Sequence, residues 1–151
     1  MKKQLWLCPF LALSLTACRV MPQEGDGFRP PPPAETERLR RDSEQLGSGI
    51  LRAFQLADFA ALRRNTPGEL SERITESDFL TSCRNFGAKF GKLTEFRFLT
   101  ALDTPAFCNL IWVATFVRKG KNGGDIRRQL LFRVVTMTVD DNTRVVSYGF
   151  L

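Results

Sequence analysis

The chain has 151 residues, enough for one domain and little more. Hydrophobic residues make up 43% and charged residues 25%, an ordinary globular balance that argues against disorder or a fibre. Formal net charge is +6 and histidine is absent, which excludes Ser-His-Asp and Cys-His catalysis, histidine-ligated zinc and any histidine pH switch.

Met1-Lys2-Lys3 gives a positive start, and the run from Leu5 to Leu15 is nearly all apolar. That run is too short to cross a bilayer as a mature helix and reads as a secretory signal. It closes in Leu15-Thr16-Ala17-Cys18, which resembles the lipobox of bacterial lipoproteins. The alternative is an ordinary signal peptide with a cysteine near its cleavage site. The resemblance implies removal of residues 1–17 and acylation of Cys18, giving a membrane anchor that strengthens by about 0.8 kcal/mol per buried methylene. Arg19, not Asp, follows the cysteine. By the same resemblance the anchored chain escapes inner-membrane retention, and the expected location is the inner leaflet of an outer membrane, facing the periplasm.

Lys2 and Lys3 are the charges of the removed segment, so the remaining chain carries 20 basic and 16 acidic side chains, a balance of +4. In a cell envelope such a surplus suits anionic lipid, glycan or protein neighbours. No basic-aromatic motif points to nucleic acid, and nucleic acid is excluded as a partner. Cys8 leaves with the signal and Cys18 takes lipid, so Cys83 and Cys108 remain as an even pair in an oxidising compartment. A disulfide between them is expected, worth about 3 kcal/mol for a separation of roughly 25 residues. Two buried free thiols are the alternative.

Gly25, Gly27 and Pro30-Pro31-Pro32-Pro33 make Arg19 to Ala34 a poor core former and favour extended polyproline II, a tether more than a ligand for a proline-binding module. The expected organisation is a signal peptide over 1–17, the lipidated cysteine and tether over 18–34, and one α+β domain over 35–151. Glu35 to about Asn65 reads as helix, with Leu46, Ile50, Ala53, Phe54, Ala57 and Ala61 on one face. Gly47 and Gly49 imply a late helix start or a close approach of another segment. Asp58 is placed to cap a second short helix from Phe59, and Pro67-Gly68 ends the segment. Thr75 and Asp78 are spaced almost as a capping box; Phe79, Cys83, Phe86 and Phe90 follow at helical spacing, and Gly91 is the terminator.

Four β-rich runs complete the chain: Lys92 to Leu102, Phe107 to Lys119, Ile126 to Val139 and Thr143 to Phe150. Short turns between them predict an antiparallel meander. Alternation puts Phe96, Phe98, Trp112, Phe116, Leu130, Phe132, Val134, Val146, Tyr148 and Phe150 on a face that helices must cover. The opposite face mixes Glu95, Arg97, Arg127, Gln129 and Arg133 with Ile111, Val113, Val117, Leu131, Val135 and Met137. A face so divided calls for a cover: a second copy, a partner, or the chain's own N-terminal segment.

Ala57-Asp58-Phe59 at a helix junction, Thr75 to Phe79 and Gly91-Lys92-Leu93-Thr94-Glu95-Phe96-Arg97-Phe98 stand in an order that resembles the nuclear-transport-factor-2-like, cystatin-like α+β superfamily, over about Ser43 to Leu151. The resemblance implies N-terminal helices packed on a curved, cone-like four-stranded sheet. It also implies that an enzyme of this kind would set an Asp or His base and a Tyr in the mouth of the cone. Here Tyr148 is the lone tyrosine, and an isomerase or dehydratase would need a buried acid such as Glu95 beside it. Glu95 is read first as an ion-pair partner of Arg97 or Arg133. Asp140-Asp141 belongs to a turn, and no metal-ligand set is visible. Arg118-Lys119-Gly120-Lys121-Asn122-Gly123-Gly124 lacks the Gly-Lys-Ser/Thr ending of a phosphate loop and joins two strands, so it reads as a basic hairpin tip suited to an anionic surface.

No residue is assigned as catalytic, and no metal or cofactor is expected. The expected function is a non-enzymatic, lipid-anchored envelope domain that binds a protein partner or a second copy through Ile111, Val113, Val117, Leu131, Val135 and Met137. The alternative is a carrier holding a small apolar ligand between the helices and Phe96, Phe98, Trp112, Phe132 and Tyr148.

Overall fold

Helix α1 (Pro33–Leu56) begins at a proline, a residue suited to a first helical turn because the N–H it lacks would be unpaired there anyway. The computed structural model describes residues 33–104, 107–140 and 142–151. The expected signal segment, Cys18 and the expected tether up to Pro32 lie outside them, and the helix starts two residues inside the range assigned to the tether. Ion pairs Arg38–Asp42, Glu37–Arg40 and Arg40–Glu44 lace its first turns at helical spacing.

Both glycines lie inside the unbroken helix, so close approach, not a late start, accounts for them. A Cβ at Gly47 would overlap the Trp112 indole, and one at Gly49 would overlap the Asn65 carboxamide. Asn65 belongs to α2 (Phe59–Asn65), which folds back on α1, and Leu51 and Leu62 are fully buried. The reversal is sharp. Ala57 adopts φ 53°, the Asp58 amide donates to the Ala53 carbonyl at 2.9 Å and the Ala57 amide to Phe54 at 3.4 Å. This is a Schellman ending built on alanine, where glycine would carry no steric cost. Asp58 then caps α2 as expected, its carboxylate accepting from the Ala61 amide at 2.9 Å.

A five-residue helix α3 (Glu69–Arg73) follows Pro67-Gly68, where the sequence predicts only an ending. Helix α4 (Glu76–Phe90) starts at the Thr75 cap, whose hydroxyl accepts from the Asp78 amide and donates to its carboxylate at 2.7 Å. It ends at Gly91, φ 97°, where a Cβ would overlap the Val117 carbonyl. Only glycine lets α4 turn so closely against the sheet.

Strands β1 (Lys92–Asp103), β2 (Cys108–Lys119), β3 (Asp125–Val139) and β4 (Asn142–Phe150) pair antiparallel in sequence order. The fold is α+β, helices over one face of a curved meander. Curvature comes from three places where one strand gains a residue: Thr94 and Leu99 on β1, and Val146 on β4. Each bulge reverses the alternation beyond it. Val145, not Val146, is therefore buried, while Val146 is 41% exposed; the strict period of two fails because Val135 pairs with Ser147 and Thr136 with Val145. Leu99 stands out of the sheet for the same reason. Ser43 and Thr136 share a buried 2.9 Å hydrogen bond that fixes the middle of α1 on β3.

Candidate functional site

The helix-facing side of the sheet is filled. Trp112 and Phe132 are buried, and ring centroids lie 5.5 Å apart for Phe98–Trp112, 6.5 Å for Trp112–Phe132 and 6.1 Å for Phe132–Tyr148. Aromatic contacts at these separations are those of a packed core. The ligand pocket expected between Phe96, Phe98, Trp112, Phe132 and Tyr148 is thus occupied by the rings themselves, with Gly47 letting α1 descend onto Trp112. Burial, with a smaller contribution from the nearby Cys83, pushes the Tyr148 phenol up to about 12. The unfolded phenol titrates near 10, so the folded state holds its proton longer. Stability from this group is complete below about pH 10 and falls as pH rises toward about 12. The difference in stability between the parent and Tyr148→Phe, followed by urea titration, is expected to shrink over that window. A constant difference would show that the phenol is solvated.

The two cysteines do not bridge. Cys83 and Cys108 both keep reduced thiols, the first on α4 and the second at the start of β2, opposite Thr136. Cys83 lines a cleft with Phe116 and lies close to Tyr148, whereas Cys108 sits opposite Thr136. Desolvation raises the Cys83 thiol above its ordinary value, which keeps it protonated and a poor nucleophile.

That cleft has a volume of about 490 Å³ and opens where the end of α1, the middle of α4 and the first residues of β1 meet. Phe54, Leu80, Phe86, Leu93 and Phe150 give it an apolar lining, with Arg84 alongside. None of the five residues expected to hold a ligand lines it. Hydrophobic periodicity does not reveal a gap of this kind, because it forms between elements that are each correctly patterned.

The outer face of the sheet is laid out by register. Ile111 pairs with Arg133, Val113 with Leu131 and with Arg97, and Asn109 with Val135, while Met137 stands opposite Arg144. The Leu151 amide donates to the Leu131 carbonyl at 2.9 Å and extends this row. Leu131 is 41% exposed and Leu151 65%, whereas Val113 is only 8% exposed. Farther along, Thr115 pairs with Glu95 and Gln129, and Val117 with Lys92 and Arg127. The six expected interface residues therefore share one face, with the apolar rows toward one end and polar rows toward the other.

Among the described residues none of Glu95, Arg97 and Arg133 is in an ion pair, contrary to the expectation that they neutralise one another. Farther along, Lys119 and, to a smaller extent, the nearby Arg127 lower the Asp125 carboxyl, while among the described residues Arg97, Arg133 and Arg144 make no ion pair on this face. Glu95 is exposed there, across the sheet from Tyr148, so it is not the buried acid an isomerase would need. Among the described residues no group of three His, Cys, Asp or Glu is placed to hold a metal, and no helix is long and apolar enough to cross a membrane.

No family model matches the chain, and no curated protein matches it in sequence. Among solved structures it is similar to RPA3114, a SEC-C motif containing protein from Rhodopseudomonas palustris, with 16% identity, a TM-score of 0.44 and coverage of 67% of this chain and 72% of that one. It is also similar to the intermembrane space region of the chloroplast protein ARC6, at 11% identity and a TM-score of 0.44, covering 74% and 95% of the two chains. A third likeness is to Aln2 from a Streptomyces species, at 14% identity and a TM-score of 0.38, over 80% and 91%.

Proposed function

We propose that this chain is a non-enzymatic, lipid-anchored envelope protein whose outer sheet face docks a protein partner. The observation that carries the reading is the partly exposed row of Ile111, Leu131 and Val135 set among Arg97, Arg133 and Arg144, which make no ion pair among the described residues. Aliphatic side chains left in water favour burial against another surface, and unpaired guanidiniums favour carboxylates on it. Face-to-face pairing of two copies would bring Arg97, Arg133 and Arg144 of each together with little to neutralise them, so an acidic partner fits better than a second copy. The lipobox resemblance supports an anchor at Cys18 and an outer-membrane, periplasm-facing location. The order of helices and meander supports the cystatin-like resemblance.

Leu131 is the better probe of this face, because Asp at the largely covered Val113 would also be desolvated. A photo-crosslinking amino acid at Leu131 in the native host is expected to trap a partner, and one at Glu72 on the helical side to trap none. Arg97→Glu with Arg133→Glu should abolish the crosslink while leaving the thermal midpoint unchanged. A Leu131 position that traps nothing in growing cells would sink the reading. A second reading, a carrier of an apolar molecule, is favoured by the 490 Å³ cleft. It requires saturable uptake of such a molecule that Leu80→Trp blocks.

A further inference from the structure

The β2–β3 hairpin extends past the rest of the sheet. The pairing of β1 with β2 begins at Lys92 and Val117, so Arg118 and Lys119 pair only with Ile126 and Asp125 of β3. On the other side β4 reaches only to Phe132, apart from the Leu151 amide on Leu131. Residues 121–129 are all exposed, and Gly123 turns the tip with φ 78°. The result is a two-stranded arm standing clear of the core.

The arm is densely basic. Arg118, Lys119, Lys121, Arg127 and Arg128 face a single acid, Asp125, which Lys119 already holds at 2.8 Å. Arg118 also donates to the Lys89 carbonyl at the end of α4, at 3.5 Å, which braces the root of the arm. One apolar residue interrupts the charge: Ile126, 38% exposed, lies across from Arg118 and on the same side of the strand as Arg128. An exposed isoleucine flanked by two guanidiniums suits a lipid interface. There the aliphatic group enters the headgroup boundary while the long cationic stems reach back to phosphates. A nucleic-acid backbone offers no such burial, and the arm has no aromatic ring to stack on bases.

We propose that this arm is a membrane-surface contact that docks on anionic phospholipid headgroups through Arg118, Lys121, Arg127 and Arg128, with Ile126 inserted between them. It is independent of the outer-face partner and of acylation at Cys18. Helix α1 runs from the Ser43–Thr136 contact toward the hairpin end of the sheet, where Gln55 reaches the Thr94 carbonyl at 2.8 Å. The arm therefore lies at the opposite end of the molecule from the start of α1, over a helix about 36 Å long.

The test uses the unacylated chain from Arg19 to Leu151, which retains every described element, sedimented with equimolar phosphatidylglycerol–phosphatidylcholine vesicles. Binding is expected to these and not to pure phosphatidylcholine, and to weaken as salt is raised. Each cation removed should cost about fivefold in affinity, so Lys121→Gln, Arg127→Gln and Arg128→Gln together should weaken binding by roughly a hundredfold. Ile126→Ser should weaken it further without altering the salt dependence. Equal binding to neutral vesicles, or an unchanged affinity in the triple variant, would overturn the proposal. So would a duplex DNA fragment that binds more tightly than the vesicles and is indifferent to Ile126→Ser.

Discussion

Phe132→Ala is expected to lower the unfolding free energy by about 4 kcal/mol. Phe132 is fully buried at the centre of β3, and its ring lies 4.8 Å from Phe150, 6.1 Å from Tyr148, 6.3 Å from Phe54 and 6.5 Å from Trp112. Truncation removes the transfer free energy of the ring and leaves a hole among four large side chains. These come from α1, β2 and β4, which are fixed separately by the Ser43–Thr136 bond, the sheet ladder and the β4 bulge, so collapse onto the hole is restricted. A domain of this size has only about 5–15 kcal/mol in total, so the loss is a large share of it. Urea unfolding should show the midpoint falling with the slope preserved. A loss under about 1 kcal/mol would mean that the neighbouring rings rotate into the space.

Gly47→Ala tests a conflict of signs. Helix propensity alone predicts a gain of about 1 kcal/mol for alanine within α1. The structure predicts the reverse, because the new methyl group would overlap the buried Trp112 indole. Overpacking of a tight core costs about 1–3 kcal/mol and here must also displace a ring held against Phe98 and Phe132, so a net loss of about 2 kcal/mol is expected. The decisive measurement is the double variant. Trp112→Phe alone should destabilise, yet in the Gly47→Ala background it should cost much less, because the smaller ring vacates the space the methyl needs. Additive effects would show that α1 shifts away from the sheet as a rigid body.

Much of the fold was legible because its signals are local. Caps at Asp58, Thr75 and Gly91 are single-residue chemistry, and the structure places each where its side chain or its φ requires. Four β-rich runs with polar turns defined the meander to within about a residue at most ends. The layout of the candidate face was legible in part. Alternation correctly grouped Ile111, Val113, Val117, Leu131, Val135 and Met137 on one face because β2 and β3 pair without interruption. It failed on β4, where one extra residue exchanges Val145 for Val146, and nothing in Arg144-Val145-Val146-Ser147 signals a bulge. The cysteines misled for another reason: an even count says nothing of whether two thiols meet in the geometry a bridge needs.

Composition and short-range pattern by themselves determined the α+β class, the element order, the absence of histidine chemistry and the mixed character of the outer face. Each depends on residue identity or on spacings within one element. The tertiary structure alone decided that the aromatic side is a filled core, that Cys83 and Cys108 stay apart, and that Glu95 and Tyr148 lie on opposite sides of the sheet. It also decided that the basic hairpin stands free, because β1 starts and β4 stops short of it. Such facts depend on register and on how closely helices approach, both set by contacts between residues far apart in the chain. The methyl group missing at Gly47 matters only because Trp112, more than sixty residues later, comes to rest on it.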